Sequence, residues 1–155
     1  MRRARLTIDL GALRHNLAVA RSAAGGRSVF AAVKADGYGH GLLTAAGTFA
    51  AAGTDGFAVA TPAEGVALRA AGLDQRVLVL QGAMTAEELD LATSHSLELV
   101  FHDPAQLDLI ESHADAVPAD GLRAWVKLDT GMHRAGLRPD QLVSARSRLD
   151  ACAAI

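Results

Sequence analysis

Residues 28–41 read SVFAAVKADGYGHG. The first six residues form a short, nearly all-apolar run, which is typical of a strand buried on both faces of a parallel sheet. A lysine and a glycine-rich turn follow this run directly. The stretch therefore predicts a strand over Val29 to Val33 that places Lys34 at the carboxyl end of a buried sheet.

The order of strand followed by helix continues along the rest of the chain. Four more apolar runs predict strands at Gly56 to Ala60, Val77 to Leu80, Leu97 to Phe101 and Leu122 to Leu128. Helical patterns cover Leu42 to Ala52, Pro62 to Ala71, Ala86 to Ser94 and Pro104 to His113, with a last helix from Pro139. This alternation predicts a parallel α/β fold, either a barrel or a doubly wound sheet, and both gather functional residues at the carboxyl ends of their strands.

Capping residues mark the starts of several of these helices. Typical caps are Thr61 with Glu64 three residues later, Thr85 with Glu88, and Asp103 before Pro104. Before the first buried strand, Arg3 to Ile8 predicts a short strand, and Asp9 predicts the N-cap of a helix that ends at Gly25-Gly26. The apolar face of that helix carries Leu10, Leu13, Leu17 and Ala20.

Composition limits the classes of function. Half of the 155 residues are hydrophobic and 21% are charged, which predicts one globular core. The net charge of -2 gives no basic surface for nucleic acid or for an anionic membrane, so we expect a small-molecule partner. Asp9 and Arg14 interrupt the apolar stretch that a signal peptide needs, which favours a cytoplasmic location. Cys152, the only cysteine, is interpreted as a small apolar residue.

The first group of candidate functional residues surrounds Lys34. An apolar strand end favours the neutral form of a lysine amine, which can attack an aldehyde to form a Schiff base. Tyr38, the only tyrosine, can offer its hydroxyl to a phosphate. A lone lysine in such a place is more often a solvated side chain in a glycine turn. The spacing of Gly37, Gly39 and Gly41 excludes a dinucleotide fingerprint and a P-loop.

A second group follows the last predicted strand, where residues 125–136 read WVKLDTGMHRAG. Lys127, Asp129, His133 and Arg134 lie within eight residues, at the sheet end that should also hold Lys34. An arginine there can donate two parallel hydrogen bonds to a carboxylate or one to a phenolate. The alternative is an Asp-Thr-Gly turn with solvated charges.

Together these motifs closely resemble alanine racemase. The matching segments are IDLGAL at 8–13 with Asn16, VKA at 33–35 with YGHG at 38–41, and KLDTGMHR at 127–134. The resemblance implies an eight-stranded β/α barrel that holds pyridoxal 5'-phosphate (PLP), followed by a mainly β domain. Residues 1–155 would form the N-terminal portion of that barrel, about five strand-helix units, without the C-terminal β domain. The initial strand would belong with that later domain.

The resemblance also implies residue roles. Lys34 would form the Schiff base with PLP and act as the base for the D-enantiomer, while Tyr38 would contact the cofactor phosphate. Arg134 would donate to the phenolic oxygen of PLP and to the substrate carboxylate. Lys127 would match a lysine that is carbamylated in many members and orients this arginine. Intact mass measured without acid would show the added carbon dioxide on Lys127, and its absence would argue against carbamylation.

The implied activity is the interconversion of L-alanine and D-alanine by a cytoplasmic homodimer, which supplies D-alanine for peptidoglycan. The second acid-base group would be a tyrosine of the partner subunit's β domain, and this chain has no tyrosine after Tyr38. We therefore expect a fragment that is poorly folded and inactive by itself. Two alternatives stay open: another barrel PLP enzyme, such as a broad-specificity amino-acid racemase or a decarboxylase, and a non-catalytic PLP-binding barrel of the PLP-homeostasis type or a degenerate remnant.

Overall fold

The computed structural model describes residues 4–117, 121–152 and 155, in which five β-strands alternate with seven α-helices. The strands are β1 (Phe30–Ala32), β2 (Gly56–Val59), β3 (Arg76–Val79), β4 (Glu98–Phe101) and β5 (Ala124–Val126). The helices are α1 (Leu10–Ala24), α2 (Lys34–Tyr38), α3 (Leu42–Ala51), α4 (Pro62–Ala70), α5 (Ala86–Ser94), α6 (Pro104–Ser112) and α7 (Pro139–Ala151). A 3-10 turn spans Ala114–Ala116. All five predicted strands of the sheet are confirmed, four within a shorter range and β3 shifted by one residue towards the N-terminus.

The strands form one parallel sheet in the order β1-β2-β3-β4-β5. Each strand lies beside the next strand of the chain, and the intervening helix makes the crossover. A doubly wound sheet reverses its strand order at a switch point, whereas a β/α barrel adds strands in chain order. The observed order therefore decides between the two predicted architectures, and the sheet is five units of a β/α barrel wall.

The predicted strand over Arg3 to Ile8 is wrong for the residues that the structure describes. Residues 4–9 have no regular secondary structure, and Leu6 is 78% exposed. The residues of this segment cannot form a strand by themselves, because a strand needs a neighbouring strand to bond its backbone groups. The helix prediction is confirmed: the Ala12 N–H donates to Asp9 Oδ1 (3.0 Å), and Gly25 ends α1 in the left-handed conformation (φ 58°).

The two faces of the sheet differ in burial. Successive side chains point to opposite faces of a strand, so the register assigns each side chain to a face. The outer face packs under the helices and forms the core, in which the fully or almost fully buried strand side chains are Val33, Phe57, Val59, Val77, Val79, Leu99 and Phe101. On the inner face, residues of the central strands such as Ala58 and Val100 are buried, whereas Leu80 is 37% and Trp125 is 42% exposed.

The expectation that the first strand is buried on both faces is wrong. Phe30 and Ala31 are half-buried and Ala32 is exposed, whereas every residue of β2 and β4 is buried. The reason is position, because β1 and β5 are the two edges of the sheet and pair on one side only within the described residues.

At the amino ends of the strands, the inner face holds an ion pair between the buried Glu98 and Arg76, whose side chain is 37% exposed. Arg76 donates to Glu98 from Nε (2.6 Å) and Nη2 (2.9 Å), and Trp125 Nε1 donates to the second carboxylate oxygen (2.7 Å). The Arg76 guanidinium lies 4.9 Å from the ring centre of Phe30. Burial raises the pKa of Glu98, but these hydrogen bonds outweigh that effect and hold the pKa below its usual value.

Gly56 is the position on β2 that makes room for this cluster. A Cβ at Gly56 would lie 2.6 Å from Phe30 Cε1 and 2.9 Å from the Arg76 carbonyl oxygen. We expect Gly56→Ala to displace the Phe30 ring and to lower the free energy of unfolding by about 1–3 kcal/mol, as overpacking does. Urea unfolding of the complete gene product, followed by circular dichroism, measures the change.

Gly47→Ala is the matched control, because Gly47 is an exposed position of α3 with no neighbouring atom within 4 Å of the added Cβ. This substitution should raise the free energy of unfolding by roughly 0.5–1 kcal/mol, since alanine loses less backbone entropy in a helix. If both variants changed stability in the same direction and by the same amount, the packing role of Gly56 would be wrong.

Candidate active site

The carboxyl ends of the five strands surround one cavity on the inner face. Because the strands are parallel and adjacent in chain order, the residues that follow them meet at one edge of the sheet. The cavity has a volume of about 510 Å³. It is lined by Lys34, Ala60, Leu80, Gln81, Val100, His102, Lys127, Arg134 and Ala135. The structure thus brings Lys34, Lys127 and Arg134 together, as the sequence predicts.

The cavity is rich in positive charge. Lys34 and Lys127 are the only two lysines in the sequence, and both line it together with Arg134. Among the described residues, no aspartate or glutamate lines this cavity, whereas Asp103 and Asp129 line a neighbouring pocket that shares Arg134. Within the described part of the chain, none of these three cations forms an ion pair. Such a site favours an anionic ligand, because the ligand's charge offsets the mutual repulsion of the cations.

Tyr38 stands beside this cavity and does not line it. Its side chain is 59% exposed, and the Lys34 Nζ atom lies 5.5 Å from the centre of its ring. Lys34 itself is half-buried. The Tyr38 hydroxyl is therefore available to a ligand that extends from Lys34 towards the mouth of the cavity.

The backbone after Lys34 is left-handed over five successive residues, of which the last is Gly39 (φ 81°). Ala35 (φ 51°), Asp36 (φ 54°), Gly37 (φ 62°) and Tyr38 (φ 55°) all have positive φ, so α2 is a left-handed turn. Left-handed backbone costs roughly 1–2 kcal/mol for each residue that has a Cβ. Glycine adopts such backbone readily, but nothing in the sequence signals it at Ala35 or Tyr38.

Hydrogen bonds hold this strained turn. The Gly37 N–H donates to the Val33 carbonyl (2.8 Å), and the Gly41 N–H donates to the Asp36 carbonyl (2.9 Å). The Asp36 side chain accepts from the N–H of Leu42 (2.7 Å), the first residue of α3. Strain of this kind persists where the surrounding structure over-determines the backbone, and such places cluster at functional sites.

Two cap residues also tie neighbouring strand ends together. Glu64 accepts from the N–H groups of Ala35 (2.8 Å) and Ala60 (2.7 Å). Gln106 accepts from the His102 N–H (2.8 Å) and donates to the Gln81 carbonyl (2.9 Å). The sequence predicts Glu64 as a helix cap, but it misses both ties and the presence of His102 and Gln81 in the cavity wall, because these depend on tertiary contacts.

Arg134 lies on a loop that Asp129 organises. Asp129 accepts from the N–H of Gly131 (2.9 Å) and of His133 (3.1 Å), and its second oxygen lies 2.8 Å from His133 Nδ1. Backbone bonds from Leu137 N–H to the Lys127 carbonyl (2.8 Å) and from Asp129 N–H to the Leu137 carbonyl (2.9 Å) close the loop at its base. The loop is therefore organised around a carboxylate and is more than a solvated turn.

The hydrogen bonds at Asp129 lower its pKa to about 2, with the N–H of Gly131 the largest cause, followed by the N–H of His133. Because the folded pKa is depressed, the carboxylate stabilises the loop fully above the usual aspartate pKa. This contribution is lost as the pH falls through about 2.

We therefore expect Asp129 to remain mostly ionised at pH 3. Titration of the side-chain ¹³C carboxyl resonance measures this, and Asp129→Asn should broaden or shift the amide resonances of Gly131 and His133. Asp140→Asn is the control, because Asp140 pairs with Arg138 outside this loop. An Asp129 resonance that titrates with a midpoint near 4 would contradict the assignment.

Two features are absent from the described residues. These residues include no group of three or more histidine, cysteine, aspartate or glutamate side chains placed to hold a metal ion. Among the same residues, no helix combines the length and the apolar character needed to cross a membrane.

Comparisons with known proteins agree on one family. Residues 8–155 match the family model described as alanine racemase, N-terminal domain. The catabolic alanine racemase of Pseudomonas aeruginosa is 47% identical over 151 residues, which cover 97% of this chain and 41% of that protein. The alanine racemase of Nitrosococcus oceani is 48% identical over 148 residues, which cover 96% of this chain and 40% of that protein.

Solved structures give the same result. The alanine racemase structure from Acinetobacter baumannii superposes with a TM-score of 0.87 at 32% identity, covering 97% of this chain and 42% of that one. The biosynthetic alanine racemase of Pseudomonas aeruginosa superposes with a TM-score of 0.82 at 38% identity, covering 96% of this chain and 40% of that one. The chain thus spans about 40% of the length of the relatives it matches.

Proposed function

The chain belongs to the alanine racemase N-terminal domain family, and from this we propose that it carries the lysine-bearing part of an alanine racemase active site. That enzyme is an isomerase that interconverts L-alanine and D-alanine. The observation that carries the proposal is that both lysines of the chain and Arg134 line one cavity without a carboxylate at the carboxyl ends of the strands. The names of the relatives favour a racemase over the other barrel PLP proteins.

The residues of the cavity fit pyridoxal 5'-phosphate. Lys34 offers an amine to the aldehyde, and Arg134 offers N–H donors to an anionic oxygen. Tyr38 can donate its hydroxyl to the phosphate, and Ala60, Leu80 and Val100 give the cavity an apolar wall for a flat ring. When bound, the cofactor supplies an electron sink that makes the Cα proton of an attached amino acid acidic.

The residues of this chain then orient the substrate and move a proton. The Arg134 guanidinium pairs with the substrate carboxylate, and the loop organised by Asp129 holds it at the cavity. Lys34 Nζ accepts the Cα proton on its own face of the substrate, or returns it there. Lys127, which lines the same cavity, orients Arg134 and is the residue proposed to be carbamylated.

Inversion at Cα needs a second proton-carrying group on the opposite face. We propose that this group lies outside these 155 residues, in a following β domain of the partner subunit of a homodimer. The relatives are more than twice as long as this chain, which supports that arrangement. The product, D-alanine, would supply peptidoglycan synthesis in the cytoplasm.

Covalent trapping tests the assignment of Lys34. The complete gene product is incubated with PLP, reduced with borohydride and digested, and the pyridoxyl group is located by mass spectrometry. We expect the label on the peptide with Lys34, because this amine stands at the end of β1 beside Tyr38. Lys127 is the internal control, since it lines the same cavity.

Lys34→Ala should remove both the label and the visible absorbance of the bound cofactor, whereas Lys127→Ala should keep the label on Lys34. Labelling of Lys127 alone, or of neither lysine, would remove Lys34 from the cofactor role.

Racemisation of alanine by the complete gene product tests the activity. We expect Lys34→Ala to lower kcat by at least about a hundredfold, the usual effect of losing a general acid or base. The 155-residue chain with PLP should not racemise L-alanine, because it lacks the second proton-carrying group. Robust turnover by that chain would show that the complete site lies within it.

A further inference from the structure

The turn after Lys34 is anchored by a carboxylate from the next β/α unit. Glu64 lies at the third position of α4, which follows β2. Its Oε1 atom accepts from the Ala35 N–H (2.8 Å), and its Oε2 atom accepts from the Ala60 N–H (2.7 Å). Ala35 is the residue after Lys34, and Ala60 lines the cavity. One side chain thus joins the end of β1 to the end of β2.

An ordinary helix cap does not require this arrangement. Glu88 has the same position in α5, and Gln141 has it in α7. Among the described residues, Glu88 accepts only from the Met84 N–H (2.8 Å) and Gln141 only from the Arg138 N–H (2.9 Å), each in its own loop. The capping bond of Glu64, from the Thr61 N–H, is longer at 3.3 Å. The shortest bonds of Glu64 therefore serve the strand ends.

The tie needs two accepting oxygens on one side chain. Both partners are backbone N–H groups, so each carboxylate oxygen must act as an acceptor. A glutamine has one acceptor and one donor group, and it still satisfies a capping box. The capping bond from Thr61 and the bond from Ala60 both use Oε2, so the single amide oxygen of a glutamine can keep these two. The bond from the Ala35 N–H to Oε1 is then lost while the helix cap remains.

We propose that Glu64 is a positioning residue for Lys34. By bonding the Ala35 N–H, its carboxylate fixes the first residue of the left-handed turn, so that the Lys34 amine stays in the cavity with Arg134 and Lys127. The same bond keeps Tyr38 beside Lys34. Residues with a Cβ prefer right-handed or extended backbone, so the turn relaxes when this anchor is lost.

The proposal rests on the proposed function only in taking Lys34 as the cofactor lysine. Its test compares Glu64→Gln with Glu88→Gln in the complete gene product. Hydrogen exchange measured by mass spectrometry reports the Ala35 amide. Acetylation by limiting acetic anhydride, without PLP and in buffer freed of carbon dioxide so that Lys127 keeps a free amine, reports the ratio of modified Lys34 to modified Lys127. A general loss of stability exposes both lysines alike, so this ratio responds to positioning.

We expect Glu64→Gln to speed exchange at Ala35 by about tenfold, since a hydrogen bond to a charged group is lost. The acetylation ratio should change by about threefold or more, and the affinity for PLP should fall by about tenfold on the same grounds. Glu88→Gln keeps one acceptor for the single Met84 N–H bond, so it should match the unsubstituted protein in all three measurements.

A replacement variant and a separate measurement of PLP binding distinguish the possible outcomes. If Glu64→Gln fails to fold by circular dichroism, Glu64→Asp replaces it, because the shorter carboxylate cannot reach both Ala35 and Ala60. A folded variant whose Ala35 exchange and acetylation ratio equal those of Glu88→Gln would overturn the proposal. If the unsubstituted protein fails to bind PLP at Lys34, the proposed function fails, while exchange and acetylation still decide the role of Glu64.

Discussion

The site depends on the parallel pairing of five strands in chain order. The register aligns Phe30 with Gly56 and Gly56 with Arg76, and this parity continues to the residues that follow each strand. Lys34 and Lys127 therefore emerge on the same face and at the same edge, although 93 positions separate them in the sequence. A shift of one residue in any pairing would turn that strand's functional side chain into the helix-covered core.

The two faces of the sheet have different roles. The outer face stabilises the fold, and the inner face carries the charged residues. The outer face is apolar and buried under the helices, where burial of side chains such as Phe57 and Leu99 stabilises the fold. The inner face carries charge at both ends, with the Arg76–Glu98 pair at the amino ends and the cations of the cavity at the carboxyl ends. The charges of Arg76 and Glu98 neutralise each other, whereas the cations of the cavity have no ion-pair partner among the described residues.

Two acidic residues outside the cavity hold the backbone segments that carry its cationic side chains. Glu64 anchors the turn after Lys34, and Asp129 organises the loop that carries Arg134. In both places a carboxylate bonds backbone N–H groups, which are stronger partners for a charged acceptor than for a neutral one. Among the described residues, the cavity is thereby lined without an aspartate or glutamate, because Glu64 and Asp129 bind backbone N–H groups outside it.

The sequence by itself determined the strands, the helices and their caps, and it identified the two segments that hold Lys34 and Arg134. These features depend on residues a few positions apart, as in the Asp9 cap and the apolar run before Lys34. Two predictions were wrong because the outcome depends on residues that are distant in the sequence. Residues 4–8 form no strand, and β1 is not buried on both faces. Only the tertiary structure decided the left-handed turn at Ala35 and the tie to Glu64, because that bond joins groups 29 residues apart and offsets a backbone strain that no local pattern records.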